Sequence, residues 1–432
     1  LAKGLSILES FDSEHPEMTL SEVARRVGLS PAAARRSLIT LQRERTSRII
    51  SLAPLTEPGT CAMLEAILSE PPPRHLVTSL HDRTGGNPFL IEELLALAPE
   101  AGPWPRSGIL VPATVREVVA RQVDGLDDDA MRIAELTAII GERVDLDLLL
   151  AVSGMKSETF TTALRHLIER RVLVETRDSV DPMIAFRHAL TRDAMLELLL
   201  GPERRALHLI VAETIEASGD TSRRGIAGDL GFHFHAAGEW ARALPHATRA
   251  GEAAWEVRAS TEALLHFRRA LDAATALDDP SQAALRCRCG QALALLGAFD
   301  EAARELETAL AEARAQGHEE VEQEALYALA GLYASHDYDT AHAWAKRALA
   351  FARERRDRPW EARTLNRLGN VLTNLMRFPE SRRLHEAALG IIDGRTDRWS
   401  AADTLDHIGM SHYLSGDVPA ARASFGEAAA IF

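Results

Sequence analysis

A repeat of about forty residues dominates the second half of the sequence. The segments WARA, STEA, FDEA, YDTA, FPES and DVPA end at positions 243, 263, 302, 341, 381 and 420, so the last four intervals are 39, 39, 40 and 39 residues. Small residues recur at fixed places within each interval. A constant period of this length predicts stacked helix pairs, because each pair must bury its small-residue face against the next pair. We expect the array to present one long concave surface.

The charge of the chain is distributed unevenly. The 432 residues are 46% hydrophobic and 26% charged, which is typical of several globular domains, and the net charge is −14. The thirty residues from Thr19 to Arg48 contain seven arginines and two glutamates, which gives +5 there and −19 for the remainder. This asymmetry predicts one small basic module attached to an acidic body, with nucleic-acid affinity confined to the basic module.

The sequence lacks the signals of a membrane protein, a secreted protein, a disulfide framework or a metal site. The chain has no apolar run of membrane-spanning length and no secretion signal at Leu1, and its three cysteines form no disulfide framework. We therefore predict a cytoplasmic protein with no membrane partner. His233, His235 and His246 do not converge at helical spacing, so we interpret them as core or solvated residues and predict no metal.

Two short helices are predicted near the amino terminus. Thr19 and Glu22 have capping-box spacing, and Gly28 suits the left-handed position after a helix end. Ser30 followed by Pro31 then predicts the start of a second helix. Two helices joined by a glycine-containing turn form a helix-turn-helix. Small residues at the start of the second helix allow it to enter the major groove, and arginines along one side can reach phosphates or guanines. The predicted DNA-binding residues are Ser30, Ala32, Ala33, Arg35, Arg36 and Arg43.

The stretch LAKGLSILESFDSEHPEMTLSEVARRVGLSPAAARRSLITL resembles the helix-turn-helix of the IclR family of bacterial transcription regulators. The resemblance covers about 40 residues and implies DNA binding. Members of that family continue into a β-hairpin wing and an effector-binding domain. Here Leu41 is followed by QRERTSRII with no turn signal before Pro54, so the wing is absent. We therefore expect weak DNA binding unless the protein dimerises.

The middle of the chain contains a second distinctive motif, RTGGNPFLIEELL, at residues 83–95. It resembles the lid of the large ATP-binding regulators of the LuxR type, a branch of the signal-transducing STAND ATPases, and further stretches extend the resemblance over residues 48–432. The resemblance implies that the element Gly86-Asn87-Pro88 places Pro88 near an adenine and that His188 can reach the β-phosphate of bound ADP. Alternatively, His188 is a strand-end residue that fixes a hairpin.

The phosphate-binding core of such an ATPase is missing from the sequence. A P-loop needs a Gly-Lys pair whose backbone amides and lysine hold the phosphates, and no Gly-Lys pair occurs in the 432 residues. We therefore predict that the nucleotide-binding positions are vestigial, that there is no cofactor and that the protein is not an enzyme.

A helix and a hairpin are predicted between the lid and the repeats. ETFTTALRHLIERRVLVE is an amphipathic helix that runs into a strand, with Ser157 as its N-cap, and RVLVETRDSVDPMIAF is typical of two strands around a turn. Together they predict a winged helix. The face of its helix mixes glutamates with a single arginine, which is a poor match to DNA, so we interpret the domain as a structural packing unit.

The predicted fold class is mainly all-α, with an N-terminal helix-turn-helix, a helical lid, a winged helix with a small β-hairpin and a C-terminal TPR-like α-solenoid. The predicted domains are a helix-turn-helix at 1–45, a lid remnant at 46–110, a winged helix at 111–200 and helical repeats at 201–432. Two functions remain open: a DNA-binding regulator whose repeats bind a protein partner or a small inducer, and an interaction scaffold with a vestigial helix-turn-helix. Either one could be a homodimer.

Overall fold

The computed structural model describes Arg26 and residues 54–68, 71–96, 123, 125–176, 183–218, 225–394 and 397–431. The chain divides into two compact units. The first comprises residues 1–115 with 188–190, and the second comprises 116–187 with 191–432. None of the described helices combines the length and apolar character that crossing a membrane requires.

The described part of the first unit includes the helices α1 (Glu57–Leu68), α2 (Arg74–Thr84) and α3 (Pro88–Ala96). Leu64, Leu80 and Ile91, one from each helix, are fully buried and form its core. Helix α2 ends because Gly85 takes the left-handed conformation, with φ of 60°.

The second unit begins with a small mixed region. Its elements are α4 (Asp128–Ile140), β1 (Val144–Asp145), α5 (Leu146–Ser153), α6 (Ser157–Glu169), β2 (Leu173–Thr176) and β3 (Met183–Phe186). The strands form an antiparallel sheet in the order β1-β3-β2, so β2 and β3 pair as the predicted hairpin. Asp127 and Asp145 start α4 and α5 by accepting hydrogen bonds from backbone N–H groups three residues ahead.

One predicted cap was wrong. Ser157 is the first residue of α6 rather than its N-cap, which is Lys156 in extended conformation without a side-chain cap. The chain enters the helix one residue earlier than the Ser signal indicated. The carbonyl of Ser157 accepts a hydrogen bond from the Thr161 hydroxyl at 2.7 Å, within the first turns of the helix.

The rest of the second unit is helical. Its helices are α7 (Ala189–Leu198), which begins in the first unit, α8 (Gly201–Ala217), α9 (Ile226–Ala237), α10 (Trp240–Glu256), α11 (Ser260–Leu277), α12 (Gln282–Leu295), α13 (Phe299–Gln316), α14 (Glu319–Tyr333), α15 (Tyr338–Glu354), α16 (Arg358–Asn374), α17 (Phe378–Leu389), α18 (Arg398–Leu414) and α19 (Val418–Ile431).

The predicted period reappears in these helices. Helices α11, α13, α15, α17 and α19 begin at 260, 299, 338, 378 and 418, at intervals of 39, 39, 40 and 40 residues, and each is the second helix of a pair. The first helices also contact one another, α12 with α14, α14 with α16 and α16 with α18. This contact places the first helices on the inner side of the array. The predicted mainly all-α fold class is confirmed.

A glycine in the first helix of a pair makes room for a large side chain of the second. A Cβ atom on Gly251 would lie 2.5 Å from the Phe267 ring, and one on Gly409 would lie 2.7 Å from the Phe425 ring. These distances are shorter than any real contact, so only glycine allows the helices to approach this closely. The same spacing of sixteen residues joins Gly290 to Leu306 and Gly369 to His385.

Candidate functional site

The predicted DNA-binding residues lie outside the described residues: Ser30, Ala32, Ala33, Arg35, Arg36 and Arg43. Arg26 belongs to the first predicted helix of the same module. It is helical, and its side chain is exposed.

The predicted nucleotide-binding residues all lie in the first unit. Gly86 has a φ of 71°, and its carbonyl accepts a hydrogen bond from the Leu55 N–H at 2.8 Å. Pro88 is the first residue of α3, where its missing N–H has no structural cost. A Cβ atom on Gly85 would lie 3.1 Å from Nδ1 of His188, so the imidazole rests against the glycine turn. The structure therefore places His188 beside the turn formed by Gly85 and Gly86. The Gly86 carbonyl of this turn already accepts the hydrogen bond from Leu55.

The inner face of the helix pairs contains a row of paired charges. Nε of Arg288 on α12 lies 3.0 Å from a carboxylate oxygen of Glu252 on α10, and Nη1 lies 3.3 Å from Glu324 on α14. Gln291 donates a further hydrogen bond to Glu324 at 3.1 Å. These side chains satisfy one another across three successive first helices.

A cavity of about 880 Å³ opens further along the same face. It is bordered by α14, α16, α18 and the segment that connects α17 to α18. Helix α16 contributes five polar side chains to the lining: Arg358, Arg363, Asn366, Arg367 and Asn370. The other lining residues include Tyr327, Ile391, Ile392, Asp393, Asp397, Trp399, Ser400, Asp403 and His407.

The two inward arginines of α16 rest on aromatic rings. The Arg363 guanidinium carbon lies 4.9 Å from the centroid of the Trp360 ring, and that of Arg367 lies 4.4 Å from the Tyr327 ring. The two rings themselves meet edge to face at 5.5 Å. Within the described part of the chain, neither guanidinium forms an ion pair with a carboxylate, and the buried Nε of Arg367 has no hydrogen-bond acceptor. Stacking fixes the planes of both groups.

A hydrogen-bonded network forms the floor of this cavity. The amide nitrogen of Asn366 donates to the Thr404 hydroxyl at 2.7 Å, and its carbonyl oxygen lies 3.0 Å from Nδ1 of His385. Nδ1 of His385 is therefore the protonated nitrogen. Nearby, Asn370 lies 3.2 Å from Nε2 of His407, which is 3.4 Å from a carboxylate oxygen of Asp403. Burial, together with the neighbouring His407, lowers the pKa of His385 to about 3, so its ring stays neutral.

This site was not predicted from the sequence. A signal existed in RTLNRLGN, where positions 363, 366, 367 and 370 place four polar side chains on one face of a helix. The rings that hold the arginines were harder to foresee, because Tyr327 comes from the preceding first helix.

The three histidines considered for metal binding have separate partners. Nδ1 of His233 lies 2.8 Å from Nδ1 of His208, while His235 pairs with Asp272 and His246 with Glu216. No group of three potential ligands that could hold a metal occurs among the residues that the structure covers. Cys287 and Cys289 are buried, and burial raises the pKa of both thiols, to about 12 for Cys289. Both thiols are therefore protonated at neutral pH.

Comparison with known proteins identifies the amino-terminal module. Residues 1–46 match the IclR helix-turn-helix domain. This match includes every residue predicted to contact DNA. No curated protein matches the chain significantly.

Several solved structures share parts of the fold. BtubC from P. vanneervenii is 20% identical, with 52% of this chain and 89% of that chain covered and a TM-score of 0.38. Aspartyl phosphate phosphatase F from Bacillus subtilis is 11% identical, with 76% and 96% covered and a TM-score of 0.39. A STAND protein with a tetratricopeptide-repeat sensor from Pyrococcus horikoshii is 11% identical, with 89% of this chain but only 60% of that chain covered and a TM-score of 0.33. At these scores the similarities carry no functional argument.

Proposed function

We propose that this protein is a DNA-binding transcription regulator that works without hydrolysing nucleotide. Its helix-turn-helix contacts DNA, and its helical repeats receive a signal or a protein partner. The observation that carries the proposal is the match of residues 1–46 to the IclR helix-turn-helix domain. The charge of +5 between Thr19 and Arg48 supports it, because DNA binding needs a positive surface.

The proposed DNA contact is small. Arg35 and Arg36 reach the duplex from the second helix of the motif, and the acidic remainder of the chain repels it. A monomer should therefore bind non-specifically, with a dissociation constant on the order of 10⁻⁴–10⁻⁶ M. Sequence specificity would require two half-sites held by a homodimer, with the repeats or the segment around Ile49–Leu52 as the contact.

The region between the helix-turn-helix and the repeats is proposed to be a relic of a LuxR-type STAND regulator from bacteria. In this proposal residues 46–110 are the lid and residues 111–200 a winged helix that serves for packing. Gly86, Pro88 and His188 are then remnants of a nucleotide site. The hydrogen bond between the Gly86 carbonyl and Leu55 supports this view, since that carbonyl already has a backbone partner.

The repeats are proposed to be the receptor part. The cavity on their inner face supports this role, because small-molecule sites lie in concave pockets that combine apolar walls with polar groups. The second candidate function is a protein-binding scaffold whose helix-turn-helix is vestigial. Both functions are non-enzymatic, which agrees with a helix-turn-helix joined to TPR-like repeats.

The first prediction separates these two functions. The double substitution Arg35→Ala with Arg36→Ala should abolish mobility shifts of duplex DNA at low salt. If part of the binding survives, the plot of log affinity against log salt should flatten by about 0.9 for each phosphate that an arginine no longer neutralises. The thermal unfolding temperature should stay almost unchanged if the two side chains are exposed.

A matched control carries the same change in charge at another place. Arg304→Ala with Arg383→Ala removes two exposed arginines from the repeats and should leave the mobility shift intact. If the first double variant shifts DNA just as well as the parent does, the regulator is rejected in favour of the scaffold. If both double variants lose binding equally, overall charge rather than the helix-turn-helix is responsible.

A further inference from the structure

We propose that the cavity between α14, α16 and α18 binds a small organic monoanion with an apolar body, whose carboxylate is held by Arg363 and Arg367. The inference rests on the proposed role of the repeats as the receptor part and names the chemical class of the ligand. It applies to the cavity of about 880 Å³ described above.

The guanidinium groups of Arg363 and Arg367 are preorganised to bind an anion. They stand four residues apart on α16, so both project from the same side of the helix into the cavity. Each guanidinium is stacked on a ring, at 4.9 Å for Arg363 and 4.4 Å for Arg367. A Cβ atom on Gly331 would lie 3.2–3.4 Å from the Arg367 guanidinium, so this glycine allows the group to lie flat against α14. Holding a fork of N–H donors in a fixed plane lowers the entropy cost of binding a carboxylate.

The partners of these arginines differ from those of Arg288. Arg288, on the same inner face, is paired with Glu252 and Glu324 at 3.0 and 3.3 Å. Across the described residues, neither Arg363 nor Arg367 has a carboxylate oxygen within 4 Å, although Arg363 is close enough to Asp397 to stabilise its charge, and the buried Nε–H of Arg367 lacks an acceptor. An incoming carboxylate would therefore not have to displace a closely paired protein carboxylate from either guanidinium.

The acidic residues of the lining restrict the charge of the ligand. Asp403 lies 3.4 Å from His407. Hydrogen bonds from the side chain and the N–H of Ser400, the latter at 3.0 Å, lower the pKa of Asp397 together with the nearby charge of Arg363, so Asp397 stays charged. Asp393 is a third carboxylate of the lining. These negative charges oppose a second charge on the ligand, so the cavity favours a monoanion over a polyanion such as inorganic phosphate or a nucleotide.

The size and apolar surfaces of the cavity define the rest of the ligand. Trp399 is 65% exposed at the rim, and Tyr327, Ile391 and Ile392 complete an apolar wall. A volume of about 880 Å³ falls within the range of about 300–1,000 Å³ that small-molecule sites occupy. An aromatic or branched aliphatic body attached to one carboxylate fits this combination.

The experiment uses the full chain and three probes. Indole-3-propionate carries one carboxylate on an aromatic body, indole-3-propionamide has the same shape without the charge, and inorganic phosphate has the charge without the body. Calorimetric titration should give saturable binding of the propionate, at least about tenfold weaker binding of the amide and no detectable binding of phosphate. Arg363→Gln and Arg367→Gln should each weaken propionate binding about tenfold or more.

The matched control is Arg347→Gln. Arg347 is also stacked on a ring, 4.1 Å from the Trp344 centroid, but it lies on α15 and does not line the cavity. This variant should bind the propionate like the parent. If Arg367→Gln does not fold, Arg367→Lys keeps the charge without the planar fork and should still weaken binding several-fold.

Four results would overturn the inference: no saturable propionate binding up to about 10 mM, equal affinity for the amide, preferred binding of phosphate, or equal loss in Arg347→Gln. A mobility shift on the same sample distinguishes this failure from failure of the regulator proposal. Propionate binding without any DNA shift would reject the regulator alone, and a DNA shift without propionate binding would reject the ligand class alone.

Discussion

A single residue changes the character of one helix pair. The second-helix residue that packs against the glycine is Phe267, Leu306 or Phe425 in three other pairs, but it is His385 in the pair formed by α16 and α17. His385 is fully buried and hydrogen-bonded to Asn366. One histidine at an otherwise apolar position therefore converts a packing contact into the polar floor of the cavity.

We expect Gly369→Ala to destabilise this pair. The added methyl group would lie 2.6 Å from the His385 ring, which has no free space to move into because the residue is fully buried. Overpacking of this kind costs about 1–3 kcal/mol in the free energy of unfolding. Urea unfolding followed by circular dichroism measures the loss.

Gly426→Ala is the matched control for this substitution. Gly426 lies within α19, and a Cβ atom there meets nothing within 4 Å. The change should stabilise the protein by about 0.5–1 kcal/mol, because alanine loses less backbone entropy in a helix. Equal effects of the two alanines would show that the close approach at Gly369 does not exist.

The pH dependence of stability should also depend on His385. Its pKa is about 3 in the folded protein against 6.5 as its ordinary value, so below about pH 6.5 the unfolded chain binds a proton that the folded chain does not. The free energy of unfolding should therefore fall with decreasing pH, by up to about 1.4 kcal/mol per pH unit for this residue. In His385→Phe this contribution disappears.

The measurement is urea unfolding of the parent and His385→Phe between pH 7 and pH 4.5. His208 and His233, with pKa values lowered by burial to about 4 and about 3, contribute equally to both proteins. The free energy of unfolding of the variant should fall less steeply with decreasing pH, by the amount that His385 contributes in the parent. This difference in slope does not depend on the stability of the variant at pH 7. Parallel curves would mean that His385 is not buried as a neutral ring.

At the scale of elements, the first helices differ in how their charges are satisfied. Helices α10, α12 and α14 are joined through Arg288, whereas α16 and α18 are joined through the amide and imidazole groups of Asn366, Asn370 and His407. The ion pairs of Arg288 with Glu252 and Glu324 link helices, and these charged groups are already paired with one another. The amide and imidazole contacts further along do not use the guanidinium groups of Arg363 and Arg367.

Arg288→Met tests the linking role of this row. The substitution leaves Glu252 and Glu324 without their common partner, and we expect a loss of about 1 kcal/mol in the free energy of unfolding, smaller at high salt. Arg268→Met is the control, since Arg268 forms a single ion pair with Glu301 in which both side chains are more than half exposed. Its effect should stay within about 0.5 kcal/mol, and urea unfolding at two salt concentrations compares the two variants. A similar loss in both variants would argue that the row adds nothing beyond ordinary surface charge.

At the scale of the whole molecule, a helix-turn-helix and helical repeats occur together without the phosphate-binding motif of a STAND ATPase. The sequence has no Gly-Lys pair for a P-loop, and the Gly86 carbonyl is engaged by Leu55. Under the proposed function, a signal therefore reaches the protein through binding rather than through hydrolysis.

We predict that neither ADP nor magnesium ATP binds or is hydrolysed at concentrations up to about 1 mM, because phosphates are held chiefly by the backbone of a P-loop. Calorimetric titration and a phosphate-release assay test this on the full chain. Micromolar affinity for ADP that disappears in His188→Ala would contradict the interpretation of Gly86, Pro88 and His188 as a relic.

Local patterns in the sequence were sufficient for the helix pairs, their period and the hairpin, because small residues at fixed intervals and alternating apolar residues act over short distances along the chain. The Ser157 cap prediction was wrong because the helix starts at Ser157, after an extended Lys156 that makes no side-chain cap. The cavity was decided by tertiary structure. Arg367 and Tyr327 are forty residues apart in sequence and meet only because successive repeats stack. A period near forty therefore predicts which helices are in contact, but it does not predict which side chains remain without partners.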